Sequence, residues 1–456
     1  MSASPDPIAE YAVRRARKLG ADEAVALVQD MRANQTRMAN NQITLAVEWR
    51  DRSASLFISR KGRTTTTEVD NPSRGRIDVA LARILKFVRR LPVNEDYRGI
   101  ASRNFAQPRS EPDAGIAAGR GATNEIMADA RDAALKAGAA RAAGTAYTSS
   151  TRSTVATSAG ALVAAHTTGA TVSVRAFTDR DASGHWVHAS STLKGLDAKG
   201  SGRHAGRIAK RARHPEMGKA GKYDVVFDPL AIAALTSNLG SMASATAVEA
   251  GFSYLGGLIG KSVASKAVTI AEDGTLKGGL ESCPFDLEGQ PTRRNVVVDR
   301  GRLVTYLHNT STGTRHHAAS TGNASFGHFA GTGDAGGVIN PSPWNLEMVA
   351  GRRSAESLFS MVDRGLYVTN IWYTRYQNYV AGDFSTIPRD GMFRIEGGEL
   401  AGPVRDLRIS ENMRKFFQKV EALSKDGRQI QSWECETPTL QPYALVRRVS
   451  VTKSAQ

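Results

Sequence analysis

The chain has 456 residues, 60 Lys and Arg against 44 Asp and Glu, a formal net charge of +16 and 41% hydrophobic residues. That length supports more than one hydrophobic core, and no apolar run of about 18 residues is present to span a membrane as a helix. Cys283 and Cys435 lack the spacing of a structural zinc site or a disulfide framework, and the opening MSASPDPIAEYAVRRARKLG lacks the apolar stretch of a secretory leader, so a reduced, cytoplasmic protein is expected.

In chain order, Ile8, Tyr11, Ala12, Ala16 and Leu19 recur at helical spacing, and Gly20 stands where a helix C-terminus takes glycine. ADEAVALVQDMRAN and NQITLAVEWRDRSASLFISRKGRTTTTEVD then alternate as strands of a meander. A helix is predicted over 76–90, with Ile77, Ile84, Leu85 and Val88 on its buried face. Residues 103–122, rich in Pro, Gly and Ala, read as loop, and 124–139 as a second amphipathic helix. Thr, Ser, Val and Ala alternate over 144–193, which predicts antiparallel sheet, and a helix over 198–213 leads through HPEMGKAG into the second half.

The expected fold is α+β in two domains. Residues 1–215 form an N-terminal α/β sandwich-like domain with a β-rich central part, and 221–456 a C-terminal, mostly antiparallel β domain with a few helices. In the second half, hairpins are predicted around Asp299-Arg300-Gly301 and Gly397-Gly398, and helices over 230–248, 354–362 and 411–424.

Candidate sites follow from residue chemistry. The basic residues cluster in GRHAGRIAKRARHPEMGKAGK, 202–222, without an aromatic platform or zinc finger beside them. This fits a solvated helix facing an acidic peptide or partner as well as it fits nucleic acid. GTGDAGG, 331–337, contains G-x-G-x-x-G without the strand before and helix after that a dinucleotide site requires, and reads as a loop. His308, His316, His317 and His328 share a loop-rich stretch with no acidic residue at helical spacing, and the adjacent rings of His316 and His317 project in different directions. Hydrogen bonding or peptide contact is expected of them rather than metal binding. Trp372, Tyr373, Tyr376 and Tyr379 sit among Asn370, Arg375 and Asn378; the run is either a core strand with a Tyr-rich edge or the wall of a peptide channel. Thr236, Ser237 and Ser241 lack a G-x-S-x-G setting for nucleophilic catalysis.

Several segments in one order resemble the TldD/PmbA family of zinc metallopeptidases. They are KLGADEAVALVQDM (18–31), GKYDVVFDPLAIAALTSNLGS (221–241), the stretch from LKGGLESCPFD to STGNA (276–324), PSPWNLEMVAG (341–351), the run from Gly365 through AGDFS, and GELAGPVRDLRISENMRKFF (398–417). In catalytic members a strand like Tyr223 to Asp228 leads into a helix carrying His-Glu-x-x-x-His, and a late strand supplies a cysteine in a Cys-Gly-Lys-Asp-Gly-like setting. Here Thr236 and Ser241 take the histidine places, Ser237 the glutamate place, and Leu423, in ALSKDGR, the cysteine place. The resemblance therefore implies a non-catalytic, TldE/PmbA-like subunit with no metal of its own, zinc being expected only in a TldD-like partner. It implies a heterodimer with that paralogue, or a homodimer, enclosing a cavity for an extended, unfolded or modified peptide. His316, His317 and Asn323, together with Trp372, Tyr373, Tyr376 and Tyr379, are the implied peptide contacts. Two alternatives stay open: a self-sufficient homodimeric peptidase using the His308 to His328 group, and a basic nucleic-acid-binding protein.

Overall fold

The computed structural model describes residues 3–108, 110–326 and 337–454. His328 and residues 331–336 of the glycine-rich segment lie outside them. Asp6 caps helix α1 (Pro7–Lys18): its carboxylate accepts from the Ile8 N–H at 2.9 Å, and Pro7 follows where its missing N–H costs nothing. Ala9, Ala12, Val13 and Ala16 form the face that α1 buries, against strand β1 (Glu23–Ala39) and helix α2 (Arg74–Val88).

β1 continues into β2 (Gln42–Arg60), β3 (Arg63–Asp70), β4 (Arg141–Thr157), β5 (Leu162–Phe177) and β6 (Ser183–Ser190), which form an antiparallel sheet in the order β3-β2-β1-β4-β5-β6. Two of its turns, Asn40-Asn41 and Lys61-Gly62, have positive φ at both residues, the geometry that matches strand twist in two-residue hairpins. Among its described residues, the predicted loop over 103–122 holds only the single turn α3 (Ala114–Ala117). Helices α4 (Thr123–Lys136) and α5 (Ala198–Arg211) cover one side of this sheet and meet through small residues.

The second sheet is built around a hub. In chain order its region contains β7 (Glu216–Met217), β8 (Gly221–Phe227), α6 (Pro229–Met242), α7 (Ala245–Glu249), β9 (Ile270–Asp273), β10 (Arg294–Asp299), β11 (Arg302–Leu303) and α8 (Thr310–Arg315). β12 (Ala324–Ser325), β13 (Asn340–Pro341), β14 (Leu346–Met348), α9 (Ala355–Ser360), β15 (Arg364–Val368), β16 (Ile371–Asn378) and β17 (Asp383–Pro388) follow. The chain closes with β18 (Met392–Glu396), β19 (Glu399–Arg405), β20 (Leu407–Asn412), α10 (Met413–Gln418), β21 (Val420–Ser432) and β22 (Cys435–Lys453). β22 pairs antiparallel with β8, β20 and β21 and parallel with β14, so the last strand of the chain organises the whole layer. Both hairpins expected from the sequence are present, with Arg300-Gly301 and Gly397-Gly398 at positive φ.

Two helices differ from expectation. The predicted helix over 230–248 breaks after Met242, because Ser244 turns extended, bridges Leu307 and donates its hydroxyl to the Pro341 carbonyl. The one over 411–424 shrinks to α10, because Val420, Ala422 and Leu423 enter β21 and bury against β22 and the core. The mixed α+β class holds throughout, and apolar clusters join the two sheets. Leu230, Ala233, Ile430 and Cys435 pack with Met127, Val172 and Trp186, while Phe285, Leu287 and Ala324 pack with Val25 and Phe57. Among the described residues no helix is long and apolar enough to cross a membrane.

Candidate functional site

Helix α6 is the structural centre of the site. Asp228 caps it, accepting from the Leu230 N–H, and Pro229 starts its first turn. Most of the helix is buried; Asn238 and Ser241 are the half-buried exceptions. Ala234, Ser237, Asn238 and Ser241, spaced i, i+3, i+4 and i+7, form one face that looks into a cleft of about 1050 Å³. β4, β5 and β6 supply one wall through Thr145, Thr171, Ser173, Arg175 and His185; β16 and the β21–β22 turn supply the other through Trp372, Thr374, Arg375, Tyr376, Trp433 and Glu434.

The hydroxyls of α6 are committed to the fold. Thr236 is 0% exposed, and its Oγ1 donates to Gln441 Oε1 at 2.8 Å. Ser237 Oγ accepts from the Thr437 N–H at 3.1 Å, and Ser241 Oγ donates back to the Ser237 carbonyl at 3.2 Å. At 3.6 residues per turn, positions 236 and 241 point about 140° apart, so the two histidine places do not share a face in this helix. Leu423 pairs with Ala444 inside the core and does not reach the cleft. Zinc needs converging imidazole, thiolate or carboxylate donors. The hydroxyl and aliphatic groups here do not fit it, and among the described residues no group of three or more His, Cys, Asp and Glu is placed to hold a metal. Burial pushes the thiols of Cys283 and Cys435 up to about 12, which keeps both protonated at neutral pH.

A second polar network lies across the cleft. Asp390, its side chain 1% exposed, grips Arg175, whose Nε and Nη2 lie 2.9 and 3.0 Å from its two oxygens, and it also accepts from Ser183 Oγ and Asn370 Nδ2. Burial alone would raise this carboxyl, but His185, Arg175 and the two hydrogen bonds outweigh it and hold it below the ordinary value. Asn370 is oriented by donating to Asp390 and by accepting from the Ile371 N–H, so its remaining amide hydrogen points to His185 Nδ1 at 3.2 Å. That assigns the imidazole proton to Nε2, which donates to Ser173 Oγ at 2.9 Å. Burial, opposed by Asp390 and helped by Arg175 and Arg389, lowers His185 to about 4, which keeps it neutral. The imidazole thus carries its proton on the nitrogen facing the serine and cannot act as that serine's base. What Ser173 offers the cleft is its own O–H. Asn238 likewise accepts from Tyr254 Oη at 3.1 Å, leaving its NH₂ for the cleft.

The aromatic run is an edge of this site. Tyr373 has φ 57, a left-handed conformation costly for a bulky residue, and it aims its own N–H and that of Thr374 at the two oxygens of Glu434. Trp372 and Tyr376 line the cleft; Tyr379 stacks on Tyr376 at 5.0 Å, and Tyr373 lies beneath the Arg375 guanidinium. Trp433 is 81% exposed on the lip.

The remaining sequence candidates lie elsewhere. His316 Nε2 meets Glu249 Oε1 at 2.9 Å, and its ring packs on His308 and Tyr306. Burial and then His316 lower His308 to about 4, against the pull of Glu249. His317 is exposed, whereas Asn323 is wholly buried and donates to the Ser342 carbonyl. The structure therefore brings Ser237, Ser241, Trp372 and Tyr376 together and leaves Thr236, Leu423, His316, His317 and Asn323 apart from them. Sequence pattern alone does not single out Ser173, Arg175, His185 and Asp390. Their one local signal is the polar alternation Thr171, Ser173, Arg175 along β5.

The profile of the PmbA/TldA metallopeptidase C-terminal domain matches residues 220–453, and that of the central domain matches 121–213. A metalloprotease of Methanothermobacter thermautotrophicus is 29% identical over 52% of this chain and 50% of its own length. Metalloprotease PmbA of Escherichia coli O157:H7 is 30% identical over 37% of this chain and 33% of its own length. The chain thus spans half or less of the length of these curated relatives. The crystal structure of TldE from Thermococcus kodakarensis shares the fold, with a TM-score of 0.86 over 98% of this chain and 100% of that one, at 20% identity.

Proposed function

This chain belongs to the PmbA/TldD family of metallopeptidases, and from that premise we propose that it is a non-hydrolytic subunit that holds peptide for a catalytic TldD-like paralogue in a cytoplasmic dimer. The observation that carries the reading is the cleft face of α6. In the register of the family motif it presents small hydroxyl residues whose hydrogen bonds serve the fold, so these positions leave room for a ligand and supply neither a metal ligand nor a carboxylate base.

The chemistry of the walls supports a peptide as the ligand. Ser173 O–H, the Asn238 NH₂ and Arg375 are donors, which suit backbone carbonyls, and Trp372 and Tyr376 give flat apolar area without demanding one side-chain sequence. The exposed aromatic lip of Trp433, Tyr373 and Tyr379 supports a companion chain closing over the cleft. That companion would bring the metal, the carboxylate base and the thiolate.

Zinc content and hydrolysis of an unfolded peptide should be measured for the isolated chain, the paralogue and their mixture. The expected result is no stoichiometric zinc and no cleavage by the isolated chain, with cleavage by the mixture. Replacing Trp372 by Ala should weaken peptide binding by the isolated chain about tenfold, as loss of an aromatic anchor does. An isolated chain that holds zinc and cuts peptide would overturn the reading in favour of a self-sufficient homodimer.

A further inference from the structure

We propose that a groove separate from the cleft, lying between α4, α5 and the β18–β19 hairpin, is a docking site for an acidic segment of a partner polypeptide. The groove has a volume of about 1210 Å³ and is lined by the cations Lys136, Lys199, Arg203, Arg207, Lys210 and Arg211, with only Asp129 and Asp132 as solvent-facing acids. Lys199 pairs with Asp129 at 3.5 Å; the other five cations have no ion-pair partner among the described residues.

The helix itself does not need this charge. Ser201, Gly202, Ala205, Gly206 and Ala209 are buried away from the cationic stripe of α5, so its folding rests on small-residue packing. Lys210 and Arg211 near the C-terminus complement the helix dipole. Lys199, in the first turn, opposes it, and Lys199, Arg203 and Arg207 repel one another at i, i+4 spacing. A stripe that the fold disfavours is stabilised when an anion lies along it.

The floor narrows the class of anion. Ile208, Phe393, Tyr367 and Leu400 make it apolar, but Tyr367 and Phe393 are only 6% and 2% exposed and stack on each other, and the lining His204 ring packs on Trp186 and is tied to Asp228, so the lining is not an open stacking platform for nucleobases. An apolar floor under a cationic rim matches a peptide that mixes acidic and aliphatic side chains.

Fluorescence anisotropy of the full chain with a labelled Glu/Leu peptide tests this, alongside the matching Lys/Leu peptide and duplex DNA. The acidic peptide should bind, the basic one should not, and affinity should fall about tenfold as salt shortens the Debye length from about 10 Å to about 3 Å. The double substitution Arg203→Glu with Arg207→Glu should weaken binding about tenfold or more. Arg203→Gln with Arg207→Gln, which keeps helix propensity, should weaken it in the same direction at an unchanged melting temperature. Unchanged binding by both double variants, equal binding of the basic peptide, or tighter binding of duplex DNA would each overturn the proposal.

Discussion

His185 illustrates how a single side chain gets its chemistry from its neighbours. A histidine next to a serine is the beginning of a catalytic pair, yet Asn370, locked by Asp390, places the proton on the nitrogen that faces Ser173. Its folded pKa of about 4 lies below the unfolded value near 6.5, so the unfolded chain takes up the proton first. The stability this gives is present above about pH 6.5 and is lost as pH falls toward about 4. His185→Gln should therefore be less stable than the native chain at neutral pH, and the difference should shrink through that window. Urea midpoints measured across the range give the answer, and a difference independent of pH would contradict the assignment. Thr236 makes the complementary point: its identity is plain from sequence, but only its bond to Gln441 shows that the hydroxyl is consumed by the core.

For the elements, glycine separates packing from propensity. A Cβ on Gly202 would lie 1.9 Å from the Ala130 carbonyl oxygen, so Gly202→Ala must push α5 away from α4 and should cost about 1–3 kcal/mol despite alanine's better helix propensity. Gly75, in α2, has nothing within 4 Å of the same position, and Gly75→Ala should instead stabilise by about 0.4–1 kcal/mol through the unfolded chain. Thermal or urea denaturation of both variants checks the opposite signs. Legibility followed the same division. α1 announced itself through its apolar spacing and the Gly20 that follows it, and the Arg300-Gly301 turn through its glycine. Val420 to Leu423 did not: a short apolar run serves helix and strand alike, and pairing with β22 decided in favour of strand.

Taken as a whole molecule, the two sheets share apolar clusters, with Leu230 of α6 packed among Met127, Ala130 and Trp186. Leu230→Ala should cost about 2–5 kcal/mol and lower the stability of both sheets together, since the cavity it leaves borders both. Hydrogen exchange read separately in β4–β6 and in β8 and β22 measures this, and a loss confined to one sheet would show that the shared cluster does not couple them. The net charge of +16 acts at this scale too, but a total says nothing about place. The fold concentrates part of it on one stripe of α5, over an apolar floor contributed by β15, β18 and β19.

By itself the amino-acid sequence determined the α+β class, the turns, the family and the chemical poverty of positions 236, 237, 241 and 423, because these depend on local pattern and on which atoms a side chain owns. Only the tertiary structure decided that 237 and 241 face a cleft while 236 and 423 do not, and that Arg175, His185, Asn370 and Asp390 meet. Arg175 and Asp390 stand 215 residues apart, and contact at such separation comes from strand pairing and packing over the whole chain, which no spacing within a segment encodes.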